Sequence, residues 1–223
     1  MLRFLTGADL LSILNACFGL LAVLAVFSGQ FPLAFVLILL ALLADGLDGV
    51  VARRFGSGQV GDYLEAMADM TSLTIAPLVF LYGVYTTTSL NPLVFVLFLA
   101  GMLFFLFCSA TRLSSFHLLK EKEVFVGLPA SASTIILISL GMLGTEWFSP
   151  FVIFVVLILL GLMKISSLPF PKLGNRLSVV ASLVILSALI FVVIQNIAGP
   201  LLLLVMILVY VLAGPFIAKK KHE

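Results

Sequence analysis

Five of the ten acidic residues of the chain lie between positions 45 and 69, inside an otherwise apolar sequence. Asp45 and Asp48 are three residues apart, so on a helix they share one face. Gly49 and Ala52 continue that face and leave room beside the two carboxylates. This part of the sequence therefore predicts a helix with a compact acidic face.

A second acidic face follows after a short connection. Gly61, Glu65 and Asp69 are spaced by four residues, which again places them on one helix face. The intervening residues 54–60, RFGSGQV, contain two glycines and are typical of a tight turn. We therefore expect two antiparallel helices whose carboxylates converge: Asp45, Asp48, Glu65 and Asp69.

Four converging carboxylates are not expected to remain bare. Two like charges about 4 Å apart repel by about 4 kcal/mol at an effective dielectric constant near 20, so the group must take up protons or hold cations. Ligands that are all oxygen favour a hard ion, and paired hard ions suit a substrate with a pyrophosphate. The sequence thus predicts two Mg²⁺ or Mn²⁺ ions, against the simpler interpretation of solvated acids at two helix ends.

Composition places this site in a membrane protein. The chain is 63% hydrophobic and only 10% charged, with a mean hydropathy of +1.32, which is far outside the range of soluble domains. Its 223 residues allow about eight transmembrane helices in an all-α bundle that forms one domain over residues 1–223. We expect membrane lipids, and no nucleic acid, among its partners.

The apolar runs predict where the eight spans lie. They are Leu10–Phe27, Pro32–Ala52, Gly61–Tyr85, Pro92–Ala110, a span that begins near Leu128, Phe151–Met163, Leu177–Ile194 and Pro200–Ala218. The two prolines within residues 164–176 exclude a continuous helix and indicate a structured loop. Asn15 is a polar amide inside the first span, where it serves either helix packing or the site.

Charge distribution predicts the orientation. If eight spans alternate from a cytoplasmic start, all twelve Lys and Arg residues fall on one side of the membrane, and Glu146 is the charge left on the other. The positive-inside rule makes the first side cytoplasmic. The acidic cluster is therefore expected to open to the cytosol.

The acidic stretch resembles the signature of the CDP-alcohol phosphatidyltransferase family, DxxDGxxAR followed by GxxxDxxxD, with Glu65 in the place of the usual third Asp. The resemblance implies that Asp45, Asp48, Glu65 and Asp69 hold two divalent ions, and that Asp69 is the general base. It further implies that Gly49, Ala52 and Gly61 leave space for the nucleotide and that Arg53 contacts phosphate, and we add Asn15 to this group. A homodimer is expected from the family.

Two further stretches narrow the acceptor. Residues around Arg112, the run Phe125–Ser133 and the stretch Leu162–Lys172 are similar to segments of the phosphatidylserine synthases of that family. Serine carries a carboxylate that needs a cation, and Arg112 and Lys172 are the candidates. The prediction is therefore transfer of a phosphatidyl or archaetidyl group from a CDP-activated lipid to serine, with release of CMP.

Two alternatives remain at this stage. A sister enzyme would use a phosphorylated alcohol such as glycerol phosphate or inositol phosphate, and Arg112 would then bind phosphate. A cation transporter would use the acids as an ion path, but no inverted repeat or interrupted pair of spans is present in the sequence to support it.

Overall fold

The computed structural model describes residues 6–55, 60–87, 91–115, 124–171, 182–189 and 196–220. The helices within these residues, numbered in chain order, are α1 (Gly7–Phe27), α2 (Phe31–Phe55), α3 (Gly61–Tyr85), α4 (Pro92–Ser115), α5 (Ala130–Leu143), α6 (Pro150–Ile165), α7 (182–189) and α8 (Ala198–Lys220). The prediction of an all-α membrane bundle is confirmed.

Five of the described helices are long and apolar enough to cross a membrane, namely α1, α2, α3, α4 and α8. Helices α5 and α6 are apolar but have only 14 and 16 residues. The fifth predicted span begins at Ala130, where Pro129 precedes the first helical residue, and the sixth extends from Pro150 to Ile165. The seventh is described only over 182–189, so the complete eight-span path stays a prediction.

Helix α1 begins three residues before the predicted Leu10 because its first turn is capped. The carboxylate of Asp9 accepts a hydrogen bond from the backbone N–H of Thr6 at 2.7 Å and from the Thr6 hydroxyl at 2.9 Å. This reciprocal cap satisfies donors that the helix itself leaves free. Asp9 is consequently 1% exposed and serves the helix end.

The surfaces of the helices divide into an apolar outside and an inside of small and polar residues. On α1, Leu20, Leu21 and Leu24 are exposed, while Ser12, Asn15 and Gly19 are buried. Exposed leucines at this density are typical of a surface that faces lipid, where exposure of an apolar side chain carries no free-energy penalty. The inner face of α1, by contrast, packs against α2 and α3.

Helix α3 changes its hydrogen-bonding pattern in the middle. It is α-helical over Gly61–Asp69, π-helical over Met70–Ile75 and α-helical again over Ala76–Tyr85. A π segment inserts an extra residue into the turn, and such segments are frequent at functional sites. This one starts immediately after Asp69, the last acid of the motif.

A short antiparallel ribbon closes one end of the bundle. Strands β1 (Val124–Val126) and β2 (Pro169–Pro171) pair with Phe125 opposite Phe170. The hydroxyl of Tyr210 on α8 donates to the Pro171 carbonyl oxygen at 3.1 Å, which ties the ribbon to the last helix. The expected structured loop after α6 is thus partly a strand, which the sequence analysis did not predict because its two prolines are unusual in a ladder.

Candidate active site

The inner face of α1 supplies the first contact to the acidic motif. Ser12 and Asn15 are three residues apart and both are buried, so they face α2 and α3 together. The Ser12 hydroxyl donates to Oδ2 of Asp48 at 2.7 Å. Asp48 itself is 4% exposed, so this bond satisfies a carboxylate that would otherwise be costly to bury.

Asn15 provides the second contact, and it joins two residues of α3. Its Nδ2 donates to Oδ1 of Asp69 at 3.2 Å, while its Oδ1 accepts a hydrogen bond from the Ser72 hydroxyl at 2.6 Å. Ser72 lies in the π-helical segment and also donates to the Ala68 carbonyl oxygen at 2.9 Å. The hydrogen bonds from Ser72 to Asn15 and from Asn15 to Asp69 therefore fix the last acid of the motif on its α1 side.

A glycine makes this approach between helices possible. A Cβ atom added at Gly19 would lie 2.7 Å from the Ser72 Cα atom and 2.8 Å from its Cβ atom. Backbone atoms cannot yield at such distances as a flexible side chain can. Gly19 thus permits the contact of α1 with the π-helical segment, and the hydrogen bonds of Asn15 depend on that contact.

The structure brings the four motif acids together. Asp45 and Asp69 lie close to each other, and the charges of Asp48 and Glu65 act on both of them. Asp48 and Asp69 are buried, whereas Asp45 and Glu65 are half-buried. Helices α2 and α3 therefore meet at their acidic faces, as helical spacing requires.

The acidic cluster has the chemistry of a hard-metal site without a formed coordination shell. Within the described ranges, no three His, Cys, Asp or Glu side chains are already arranged to hold an ion. Asp48 is directed to Ser12 and Asp69 to Asn15, which draws the carboxylates toward α1. The donors are all carboxylate oxygens in one buried volume, so the residue types fit Mg²⁺ or Mn²⁺. Their assignment as metal ligands stays a prediction.

A cavity of about 100 Å³ opens beside the cluster. One wall carries Asp45, Glu65 and Asp69, and it also includes Asp62 from the first turn of α3. Arg112, in the last turn of α4, lies on another wall, and its buried Nε atom has no hydrogen-bond partner in the described part of the chain. The rest of the lining comes from Ala66, Leu73, Leu113 and the residues Pro129, Ala130 and Ser131. The cavity therefore presents carboxylates and a guanidinium to the same small volume.

The remaining predicted residues lie on α2 and α3 near the acidic residues in sequence, or outside the described part of the chain. Gly49 and Ala52 are on α2 beyond Asp48, and Gly61 is buried at the first position of α3. The side chain of Arg53 and all of Lys172 lie outside the described residues. Of the two candidate acceptor cations, the structure thus places Arg112 at the cavity.

Several site residues were missed by the sequence analysis. Ser12 is the one hydroxyl side chain in the apolar run Leu10–Phe27, Ser72 lies between Thr71 and Thr74, and nothing in their spacing separates them from ordinary packing residues. Asp62 is three residues before Glu65 and seven before Asp69, so helical spacing could have placed it on the same acidic face. Lys164 was given no role in the site, although it directly follows the apolar run Phe151–Met163, where a cation can lie at membrane depth.

The fold and the site together define an integral membrane protein with a carboxylate-rich polar cavity between helices. The sequence profile of the CDP-alcohol phosphatidyltransferase family matches residues 5–218. The chain belongs to this family and is accordingly a membrane transferase of phospholipid biosynthesis.

Three relatives show where in the family the chain falls. The CDP-diacylglycerol–serine O-phosphatidyltransferase of Methanocaldococcus jannaschii is 31% identical over 176 residues, which cover 78% of each chain. The archaetidylserine synthase of Methanothermobacter thermautotrophicus is 30% identical and covers 77% of this chain and 72% of its own. A CDP-diacylglycerol–serine O-phosphatidyltransferase of Mycobacterium leprae is 30% identical and covers 92% of this chain and 72% of its own.

Proposed function

We propose that the chain transfers a phosphatidyl or archaetidyl group from a CDP-activated lipid to the hydroxyl group of L-serine and releases CMP. The observation that carries this proposal is the cavity in which Asp69 and Arg112 lie on the same small volume. Serine needs a proton acceptor for its hydroxyl and a cation for its carboxylate, and these two residues are of the required types. The named activities of the three relatives support serine as the acceptor.

The reaction exchanges one phosphorus–oxygen bond for another. The serine hydroxyl oxygen forms a bond to the lipid-bearing phosphorus, and the bond from that phosphorus to the CMP oxygen breaks. Asp69 takes the hydroxyl proton, since it is held in a fixed orientation by Asn15 and lines the cavity. The electron pair of the broken bond leaves with CMP.

We assign the acidic cluster to two divalent ions, Mg²⁺ or Mn²⁺. Asp45, Asp48, Glu65 and Asp69 would hold them. When bound, the ions supply positive charge that neutralises the pyrophosphate of the CDP-lipid. Gly49, Ala52 and Gly61 leave space on α2 and α3 for the nucleotide, and Arg53 contacts its phosphate.

Arg112 binds the acceptor carboxylate in this proposal. Loss of a charge-assisted pair of about 2 to 3 kcal/mol predicts that Arg112→Ala raises the serine KM about 30-fold to 150-fold. The KM for the CDP-lipid should stay near the wild-type value. Arg112→Lys should rescue only in part, because an ammonium lacks the planar fork of a guanidinium. Steady-state CMP release at varied serine and varied CDP-lipid measures both constants.

The same assay separates the sister enzyme from the serine enzyme. A phosphorylated-alcohol transferase would ignore serine and release CMP with glycerol phosphate or inositol phosphate. Arg112→Ala would then lose that reaction instead. Wild-type turnover with a panel of these three acceptors therefore decides between the two functions.

We further propose that the cavity faces the cytoplasm and that the protein forms a homodimer. In support of the orientation, Arg112 and Lys164 both lie in the last turns of their helices, at one end of the α4 and α6 pair. A cysteine at Ser166 should react with an impermeant reagent from the cytoplasmic side, and one at Glu146 from the other side. Reaction of both from one side would contradict this orientation.

A further inference from the structure

Lys164 is a buried lysine that the proposed reaction does not use. It is 2% exposed, and its Nζ atom donates to the Ser109 hydroxyl oxygen at 2.7 Å. The same atom lies 4.3 Å from the centre of the Phe105 ring, in a cation–π arrangement. A cation is expensive to bury, so a lysine held in this way calls for a reason beyond packing.

The position of Lys164 is fixed by close backbone packing. Helices α4 and α6 approach at Gly161, where an added Cβ would lie 2.9 Å from Phe104 Cε1. At the end of α6, Gly127 has a φ of 74° and packs directly against the Lys164 carbonyl oxygen, so that a Cβ there would collide with it. The backbone N–H of Leu128 donates to the Met163 carbonyl oxygen at 3.0 Å. Close packing against α4 and against Gly127 therefore fixes the backbone at Lys164.

These contacts connect Lys164 to two walls of the cavity. Its hydrogen-bond partner Ser109 is three residues before Arg112, so the two lie on the same face of α4. Gly127, which packs on its backbone, leads directly into Pro129 and Ala130, which line the cavity. A residue outside the cavity is thus joined to the two segments that form its non-acidic side.

Lys164 has a second cation nearby. Arg112 acts on Lys164 as a like charge, and Asp69 attracts both cations. Each cation lies in the last turn of its helix, where the helix dipole favours positive charge. Among the residues that the structure describes, the Nε atom of Arg112 nevertheless has no hydrogen-bond partner. A carboxylate oxygen of an acceptor in the cavity would accept that hydrogen bond.

We propose that Lys164 is a positioning residue that makes the acceptor site selective for an anionic acceptor. Its ammonium is held by the hydrogen bond to Ser109. From there its charge repels the Arg112 guanidinium toward the cavity and makes the electrostatic potential in the cavity more positive. This inference rests on the proposed function. It assigns to Lys164 the preference for a carboxylate-bearing alcohol over the same alcohol without its carboxylate.

The test compares serine with ethanolamine, which is serine without the carboxylate. Wild type, Lys164→Met, Lys164→Arg and the neighbouring control Met163→Leu are purified in detergent, and kcat and KM are measured for both acceptors and for CDP-diacylglycerol. Wild type should prefer serine. Lys164→Met should lower the serine-to-ethanolamine ratio of kcat/KM about 10-fold, mainly through the serine KM.

Other readouts separate positioning from a structural role. The KM for CDP-diacylglycerol should stay within about twofold in Lys164→Met, and the melting temperature should not fall, because a methionine fills the volume without a buried charge. Lys164→Arg should keep most of the serine preference and Met163→Leu all of it. A Lys164→Met protein that loses activity equally for both acceptors, or that keeps the wild-type preference, would overturn the inference while the serine function stands.

A second variant covers the case in which Lys164→Met does not fold. Ser109→Ala removes only the anchor of the ammonium and should lower the serine preference about threefold to tenfold. An unchanged preference in Ser109→Ala would overturn the inference. Wild type that releases no CMP with serine would overturn the proposed function and this inference together.

Discussion

Asn15 on α1 donates its side-chain amide hydrogen to Asp69 on α3 at 3.2 Å, across 54 positions of sequence. Because a carboxylate can only accept, the amide nitrogen faces Asp69, and the amide oxygen accepts from the Ser72 hydroxyl. The first helix thereby fixes the orientation of the acid to which we assign proton transfer. Asn15 is thus a hydrogen-bond partner of the acidic cluster, and its predicted contact with the nucleotide stays a prediction.

Removal of this amide should slow the chemical step. Asn15→Ala leaves Asp69 buried without its donor, and a hydrogen bond to a charged group is worth about 1.5 to 3 kcal/mol, so kcat should fall about 10-fold to 150-fold. The serine KM should change little, since Arg112 is untouched. Ser72→Ala is the matched control, because it keeps the donor to Asp69 and should cost less. Wild-type kcat in Asn15→Ala would contradict this role.

The close approach of α1 and α3 should be sensitive to one methyl group. Gly19→Ala places a Cβ 2.7 Å from the Ser72 Cα atom, so the helices must separate and the melting temperature should fall. Gly46→Ala is the control on α2, since no neighbouring atom of the described residues would lie within 4 Å of its Cβ. Alanine favours a helix over glycine by up to about 1 kcal/mol, so Gly46→Ala should melt no lower than wild type. Equal melting temperatures for the two variants would show that the approach at Gly19 is not tight.

Activity should depend on a divalent cation. A chelator in excess should abolish CMP release, and Mg²⁺ or Mn²⁺ should restore it, because four carboxylates in one buried volume repel each other when bare. Asp45→Asn and Asp48→Asn should each lower kcat about 100-fold or more, since a lost ligand is worth several kcal/mol in the transition state. Full turnover in excess chelator would exclude the assignment of the cluster to metal.

Glu65 tests whether the third acid is a ligand. Glu65→Asp restores the acid usual in the family and should retain activity, with a changed preference between Mg²⁺ and Mn²⁺. Glu65→Gln removes the charge at nearly the same volume and should lose most activity. Metal titrations of CMP release with the three proteins make the comparison. If Glu65→Gln releases CMP at the wild-type rate, Glu65 is not a metal ligand.

The sequence predicted the fold class and the place of the acidic site because both follow from simple spacing. Asp45 and Asp69 lie on helix faces that a period of 3.6 residues assigns without knowledge of the partner helix. The π-helical segment at Met70–Ile75 left no such signal, since it arises from packing against Gly19 and Asn15. The Ser12 contact to Asp48 likewise depends on how α1 meets α2.

Cations were harder to assign than acids. In the sequence, Arg112 and Lys164 both contribute to the predicted membrane orientation. Only the structure shows that Arg112 lines the cavity, whereas Lys164 is hydrogen-bonded to Ser109. The ribbon of β1 and β2 brings Gly127 onto α6, and no local pattern predicts a pairing between segments so far apart in the chain. The sequence therefore identifies the chemistry of the acidic side better than that of the acceptor side.

Serine-dependent CMP release by the wild-type protein tests the central claim most directly. Purified protein is given CDP-diacylglycerol and Mg²⁺ or Mn²⁺, and CMP is measured before and after addition of serine, with Asp69→Asn as the inactive control. We predict that serine starts CMP release and that one serine enters the lipid product for each CMP formed. No increase in CMP on addition of serine, with metal and CDP-lipid present, would contradict the assignment.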